Sequence, residues 1–186
     1  FSTPIAGKTI VVVGTGNLGG AMIRLISPLG PKIIGVNRKG GTVDGCSKII
    51  TVDKIDSILP EADILYLAMP ETPETKNLIS RKRLDLLKPS CGIVNIGRAS
   101  TIDYDALCEK LRTNEMGGAI LDVFTPEPIK PNSKLWQIPN LIITPHVSAD
   151  DGESYVRLTL DLFVKNLQLF ISNKKLLNQI DKDSGY

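Results

Sequence analysis

Short apolar runs alternate with polar, glycine-bearing breaks along this chain, and their spacing predicts strands interleaved with helices and loops. Thr9-Ile10-Val11-Val12-Val13 is a continuous β-prone run that passes straight into glycines at positions 14, 16 and 19, and a helix-compatible stretch from Leu18 to Ser27, ended by Pro28, follows it. Lys32-Ile33-Ile34-Gly35-Val36 reads as a second buried strand, Ile49-Ile50-Thr51-Val52 as a short third and Ile64-Leu65-Tyr66-Leu67 as a fourth, with Asp53 to Leu59 as a short helix. Ser80 is placed to cap a helix from Arg81 to Leu87 that Pro89 ends. Gly92-Ile93-Val94-Asn95 supplies a fifth strand, and Asp103 to Arg112 a helix with Ala106, Leu107 and Leu111 on one face. Ala119-Ile120-Leu121 and Leu141-Ile142-Ile143 are two further strands, separated by a loop holding Pro126, Pro128, Pro131 and Pro139. From about Ser154 to Ile171, apolar residues at 156, 160, 163, 164, 167, 170 and 171 keep the register of a long amphipathic helix.

Continuous apolar strands alternating with helices imply a parallel sheet covered on both faces. The expected fold is α/β: a doubly wound parallel sheet (Rossmann-like), about seven strands with helices on both faces. The glycine spacing after the first strand sharpens this. In G-x-G-x-x-G between a strand and a helix, Gly14 permits the bend, Gly16 lets a pyrophosphate approach the backbone and Gly19 allows helix and strand to pack closely. Asn17 and Leu18 complete that turn, and the helix start offers unpaired N–H groups to phosphates. The organisation expected is a dinucleotide-binding domain over 1–171 and a C-terminal tail over 172–186.

Composition narrows the partners. The net charge is +2, from 22 basic and 20 acidic side chains without a long basic block, so neither nucleic acid nor a membrane surface is indicated. No apolar run approaches the ~18 to 20 residues of a membrane span. Cys46, Cys91 and Cys108 are widely spaced and fit neither a disulfide framework nor a zinc site, and a reducing, cytoplasmic setting is expected, with no bound metal.

In a sheet of this kind ligands sit at the carboxyl ends of the strands. The residues there are polar: Gly14 to Gly19, Asn37-Arg38-Lys39, Met69-Pro70, Gly97-Arg98, Asp122 and Pro145-His146. His146 is the only histidine, and imidazole is the side chain suited to proton transfer near neutrality. Glu127, held between Pro126 and Pro128, is a carboxylate on a stiff loop; aimed at an imidazole it would favour the protonated form. Arg98 follows the fifth strand, and its planar fork suits bidentate binding of a carboxylate.

The combination of Val12-Val13-Gly14-Thr15-Gly16-Asn17-Leu18-Gly19, Ala68-Met69-Pro70-Glu71-Thr72-Pro73-Glu74-Thr75, Asn95-Ile96-Gly97-Arg98, Leu121-Asp122-Val123-Phe124 with Glu127-Pro128, and Thr144-Pro145-His146 resembles the D-isomer-specific 2-hydroxyacid dehydrogenases. The resemblance runs over nearly the whole chain, with the motifs in the family's order. It implies that Arg98 binds the carboxylate and carbonyl of a small 2-oxo acid, that His146 donates the proton and that Glu127 pairs with His146. It implies dimerisation through the cofactor domain, and a cofactor contacted by Gly14, Gly16, Asn17, Leu18, Gly19, Asn37, Arg38, Lys39, Met69, Pro70, Thr75, Ile96, Gly97, Asp122 and His146. Two positions depart from the pattern. Ala99 stands where a glycine is usual, and Asn37 stands where NAD-preferring members carry an aspartate for the ribose hydroxyls. Asn37 with Arg38 and Lys39 would instead pair with a 2′-phosphate, so NADP is favoured over NAD.

The family's complete chains place most of a substrate-binding domain before the segment like Ile5-Ala6-Gly7-Lys8-Thr9 and return to it through one like Leu177-Asn178-Gln179-Ile180-Asp181. The resemblance thus implies the cofactor domain and carboxyl tail of a longer enzyme, with the amides that grip the substrate from the other side lying outside this chain. A second reading stays open: a dinucleotide-sensing, corepressor-like interaction protein on the same fold.

Overall fold

The computed structural model describes residues 3–181. Residues 182–186, the end of the expected tail, lie outside the described residues. Seven strands, β1 (Thr9–Val13), β2 (Lys32–Asn37), β3 (Lys48–Thr51), β4 (Ile64–Leu67), β5 (Gly92–Asn95), β6 (Gly118–Leu121) and β7 (Leu141–Ile143), form one sheet in the order β3-β2-β1-β4-β5-β6-β7. Every pairing is parallel. The chain starts in the middle, winds outward to β3, then crosses back to lay β4 beside β1, which creates the switch point where such sheets open a crevice.

Register makes that crevice one continuous edge. Val36, Val13, Leu67, Asn95, Leu121 and Ile143 are neighbours in a single row across six strands. The residues that follow them, from Asn37 and Gly14 to Ala68, Ile96, Asp122 and Thr144, therefore emerge side by side.

Alternate strand residues supply two cores. Val11, Val13, Ile34, Val36, Leu65, Leu67, Ile93 and Leu121 face a cluster containing Leu84 of α2 (Arg81–Leu84) and Ala106, Leu107 and Leu111 of α3 (Tyr104–Arg112). Ile10, Val12 and Ile33 point to the other face, where they meet Ile23 of α1 (Asn17–Ile26). Farther along that second face, Ile120 and Ile142 are exposed. Burying a side chain of this size contributes roughly 1.5–3 kcal/mol, so the two clusters are the main source of cohesion.

Several element ends differ from the sequence expectation, each for a local reason. α1 stops at Ile26, and Pro28 sits inside a 3₁₀ turn, Ser27–Leu29, where its missing N–H costs nothing. The third strand is Lys48–Thr51, because Thr51 is the last residue opposite Asn37 and Val52 already enters a 3₁₀ segment that runs to Ser57. That segment replaces the helix expected over Asp53 to Leu59. The helix expected over Arg81 to Leu87 keeps four residues: Leu86 and Leu87 bond to carbonyls three residues back, tightening the chain ahead of Pro89. Ser80 serves it through its carbonyl, which accepts from the amides of Arg83 and Leu84; its side chain makes no cap. Asp103, expected as the first residue of α3, is its cap: Oδ1 accepts from the Ala106 amide at 3.0 Å.

The chain forms two compact units, the sheet unit through His146 and a second from Val147. In the second, α4 (Tyr155–Ile171) carries the expected apolar stripe, with Val156, Leu160, Phe163, Val164, Leu167, Phe170 and Ile171 exposed. Its turn back is tied by Asn166, whose side chain accepts from the Leu177 amide at 2.8 Å and donates to the Leu177 carbonyl at 3.2 Å. Among the described residues no helix is long and apolar enough to cross a membrane.

Candidate active site

The turn after β1 has the geometry its glycines predict. Gly14 has φ +92°, and a Cβ there would lie 2.8 Å from the Ala68 backbone at the end of β4. At Gly19 a Cβ would lie 1.9 Å from the Gly14 carbonyl oxygen, whereas at Gly16 it would meet nothing within 4 Å. Gly14 and Gly19 are thus demanded by packing, while Gly16 keeps open space in front of the backbone. Gly16 caps α1 without a side chain, and Asn17 and Leu18 open the helix, Leu18 exposed. The amide ends of α1 accordingly face that space.

Asn37, at the end of β2, is a bracket. Its Nδ2 donates to Thr15 Oγ1 at 3.0 Å, and its Oδ1 accepts from the amides of Lys39 and Gly40 at 3.0 and 2.6 Å. It joins the glycine turn to the basic loop, where Arg38 and Lys39 are exposed. The Glu74 carboxyl is held below its ordinary range chiefly by a hydrogen bond from Thr72, with the Arg38 charge adding to the effect.

Past β4, Met69 is buried and Pro70 exposed; Thr75 Oγ1 donates to the Pro70 carbonyl at 2.7 Å and accepts from the Thr72 amide at 2.7 Å, closing the turn on itself. Past β5, half-buried Ile96 donates its amide to Leu67. A Cβ at Gly97 would come within 2.5 Å of the Met69 carbonyl, so these two loops pass in contact. Asn95, fully buried, accepts from the Gly97 amide at 3.0 Å and donates to the Arg98 carbonyl at 3.2 Å, and Thr101 Oγ1 donates to the same carbonyl at 2.7 Å. The backbone of Arg98 is clamped, while its exposed guanidinium donates to the Gly97 carbonyl at 2.7 Å.

Asp122, after β6, is a buried carboxylate that accepts from Thr144 Oγ1 at 2.5 Å. Thr144 lies two residues before His146, so this bond ties the ends of β6 and β7 where the loop to the histidine departs. His146 adopts φ +57°. Its Nδ1 is 2.8 Å from Glu127 Oε2, and Glu127 Oε1 accepts from the Phe124 amide at 2.6 Å. The hydrogen bond with His146 is the largest influence holding the Glu127 carboxyl below its usual value; the Phe124 amide and the charge of Arg98 act in the same direction. A cleft of about 490 Å³ borders the pair, walled by Phe124, Trp136 and Ile143, among others.

Glu127 and His146 are therefore in contact, the charge of Arg98 helps hold the Glu127 carboxyl low, and Asn37 is joined to the glycine turn. Thr15, Asn95 and Thr144, which hold these residues, fall inside the sequence motifs but were given no role of their own, and Thr101 lies outside them. Asn95 carried a signal: it is a polar residue closing an apolar strand at the ligand edge. Among the described residues no group of three His, Cys, Asp or Glu side chains could hold a metal ion.

Sheet order, switch point and glycine turn together define a nucleotide-binding α/β domain of the Rossmann-like class. Residues 1–148 match the family described as D-isomer specific 2-hydroxyacid dehydrogenase, NAD binding domain, and the chain belongs to that family. A glycerate dehydrogenase of Methylorubrum extorquens is 33% identical over 174 residues, covering 91% of this chain and 52% of the relative. Among solved structures, a D-isomer specific 2-hydroxyacid dehydrogenase from Xanthobacter autotrophicus in complex with NADPH and MES superposes with a TM-score of 0.92 at 28% identity, covering 100% of this chain and 76% of that one. An NADPH-dependent glyoxylate/hydroxypyruvate reductase from Sinorhizobium meliloti, in complex with NADP and sulfate, gives 0.91 at 29% identity, covering 100% and 59%. The chain spans only part of the curated relatives it matches, for example 59%, 29% and 52% of their lengths.

Proposed function

We propose that the chain is the cofactor-binding part of an oxidoreductase that interconverts a small 2-oxo acid and a D-2-hydroxy acid with NADPH or NADH. The observation that carries this reading is the Glu127–His146 contact at 2.8 Å, presented with Arg98 on the same edge of the sheet as the glycine turn. The residues fit a dinucleotide: open space in front of Gly16 and the amide end of α1 would receive the pyrophosphate, and Met69, Pro70, Thr75, Ile96, Gly97 and Asp122 would border its nicotinamide half. When bound, the dinucleotide supplies the hydride.

The chain's own residues do the rest. As the imidazolium, His146 donates Nδ1–H to Glu127 and gives its Nε2 proton to the substrate's carbonyl oxygen, which leaves the neutral Nδ1–H imidazole beside the carboxylate. Arg98 would bind the substrate carboxylate and offset the charge growing on that oxygen, a role whose loss commonly costs about 3 kcal/mol of barrier. Asn37, Arg38 and Lys39 would receive a 2′-phosphate, and solved relatives complexed with NADP or NADPH support NADP over NAD. Relatives named as dehydrogenases and reductases of glycerate, glyoxylate and 3-phosphoglycerate support this reading over a corepressor-like one. The remaining proposals are a cytoplasmic homodimer joined through the cofactor domain, a domain spanning 1–171 and a tail over 172–186.

The test is NADPH oxidation followed at 340 nm with glyoxylate, hydroxypyruvate or pyruvate in the full-length protein. Arg98→Ala and His146→Gln are expected to lower kcat/KM at least a hundredfold, and full turnover by either variant would overturn the proposal. The 186 residues alone are expected to bind the dinucleotide with little turnover.

A further inference from the structure

The loop that carries Glu127 has few internal supports. Thr125, Pro126, Glu127 and Pro128 are all exposed, yet the carboxylate must point at one nitrogen of His146. Val123 and Phe124 at the loop's root are buried, Phe124 in the main core cluster, and two specific contacts orient them. One is the Phe124 amide on Glu127 Oε1. The other comes from outside the loop: Tyr104, the first residue of α3, donates its hydroxyl to the Val123 carbonyl, and its ring meets the Phe124 ring edge-on, centroids 6.3 Å apart at 78°. The Asp103 cap sets where α3 begins and hence where this tyrosine stands.

We propose that Tyr104 is a positioning residue for the Glu127–His146 pair, acting through Val123 and Phe124 without touching either partner. The inference rests on the proposed proton-donor role of His146. By pinning both the carbonyl before Phe124 and the ring of Phe124, Tyr104 directs the Phe124 amide at Glu127 Oε1 and leaves Oε2 for imidazole Nδ1. Burial is the main cause that raises the phenol's pKa, so the hydroxyl stays protonated and remains a donor across the working pH range.

The consequence is a choice of tautomer. An imidazole whose Nδ1 faces a fixed carboxylate keeps its proton on Nδ1, whereas a free imidazole in water favours Nε2–H. The chain has a single histidine, so ¹⁵N-histidine labelling reports on His146 alone. Long-range ¹H–¹⁵N spectra recorded where the imidazole is neutral are expected to show the Nδ1–H form predominating in the wild-type chain. Tyr104→Phe, which keeps the ring and removes the donor, is expected to cut the Nδ1–H fraction by at least half, approaching the Glu127→Gln spectrum. If Tyr104→Phe fails to fold, Phe124→Leu, which removes the ring contact, is expected to give the same shift.

A wild-type-like tautomer in whichever variant folds, alongside a changed one in Glu127→Gln, overturns the proposal, as does a predominantly Nε2–H wild type. These spectra need neither cofactor nor turnover. A shifted tautomer together with an inactive full-length enzyme would therefore retain the positioning role and reject the functional reading.

Discussion

At the scale of single residues, the three glycines after β1 separate two demands that one motif combines. Gly14→Ala forces a side chain into a positive-φ position 2.8 Å from the Ala68 backbone and is expected to destabilise the fold by about 1–3 kcal/mol or more, measured by denaturant unfolding. Gly16→Ala meets no neighbour, so thermal stability should hold while dinucleotide affinity falls at least tenfold by calorimetry. The Glu127–His146 contact also makes a pH prediction. A carboxyl whose folded pKa lies below its ordinary 4.5 contributes stability that is present above that value and disappears as pH falls through the lowered one. The difference in Tm between wild type and Glu127→Gln should therefore be greatest above about pH 4.5 and vanish on further acidification. The pair is exposed enough that solvent screening keeps the difference modest.

At the scale of elements, the strands were legible because a central parallel strand is an unbroken apolar run; β1, β4, β5 and β7 have the expected bounds, and β2, β3 and β6 differ by one residue at one or both ends. Helix ends were less so. Ser80 and Asp103 are both residues with capping side chains, yet only Asp103 uses its carboxylate as a cap, because α2 is a single turn whose first amides bond the Ser80 carbonyl. Asp103→Ala is expected to cost about 1 kcal/mol of stability, measured by urea unfolding, and to loosen the start of α3 where Tyr104 stands. Ser80→Ala should fall within about 0.5 kcal/mol of wild type in the same assay.

At the scale of the whole molecule, the cores protect their thiols. Burial pushes the Cys91 thiol up to about 12 and raises Cys108 as well, so neither should react with an alkylating reagent in the native protein at neutral pH. Half-buried Cys46, also raised by burial, should react slowly, and all three should react in denaturant, as counted by mass spectrometry. Local pattern and side-chain chemistry were enough to read the strand and helix alternation and the glycine turn, and to nominate Arg98, Glu127 and His146 as candidates. The common row through Val13, Asn95 and Ile143, the Asn37–Thr15 bracket, the Thr144–Asp122 tie and the support of Tyr104 beneath Val123 are visible only once the chain is folded. Each of these joins residues about 20 or more positions apart, and a contact over that distance is set by how the sheet is wound, which no short window of sequence contains.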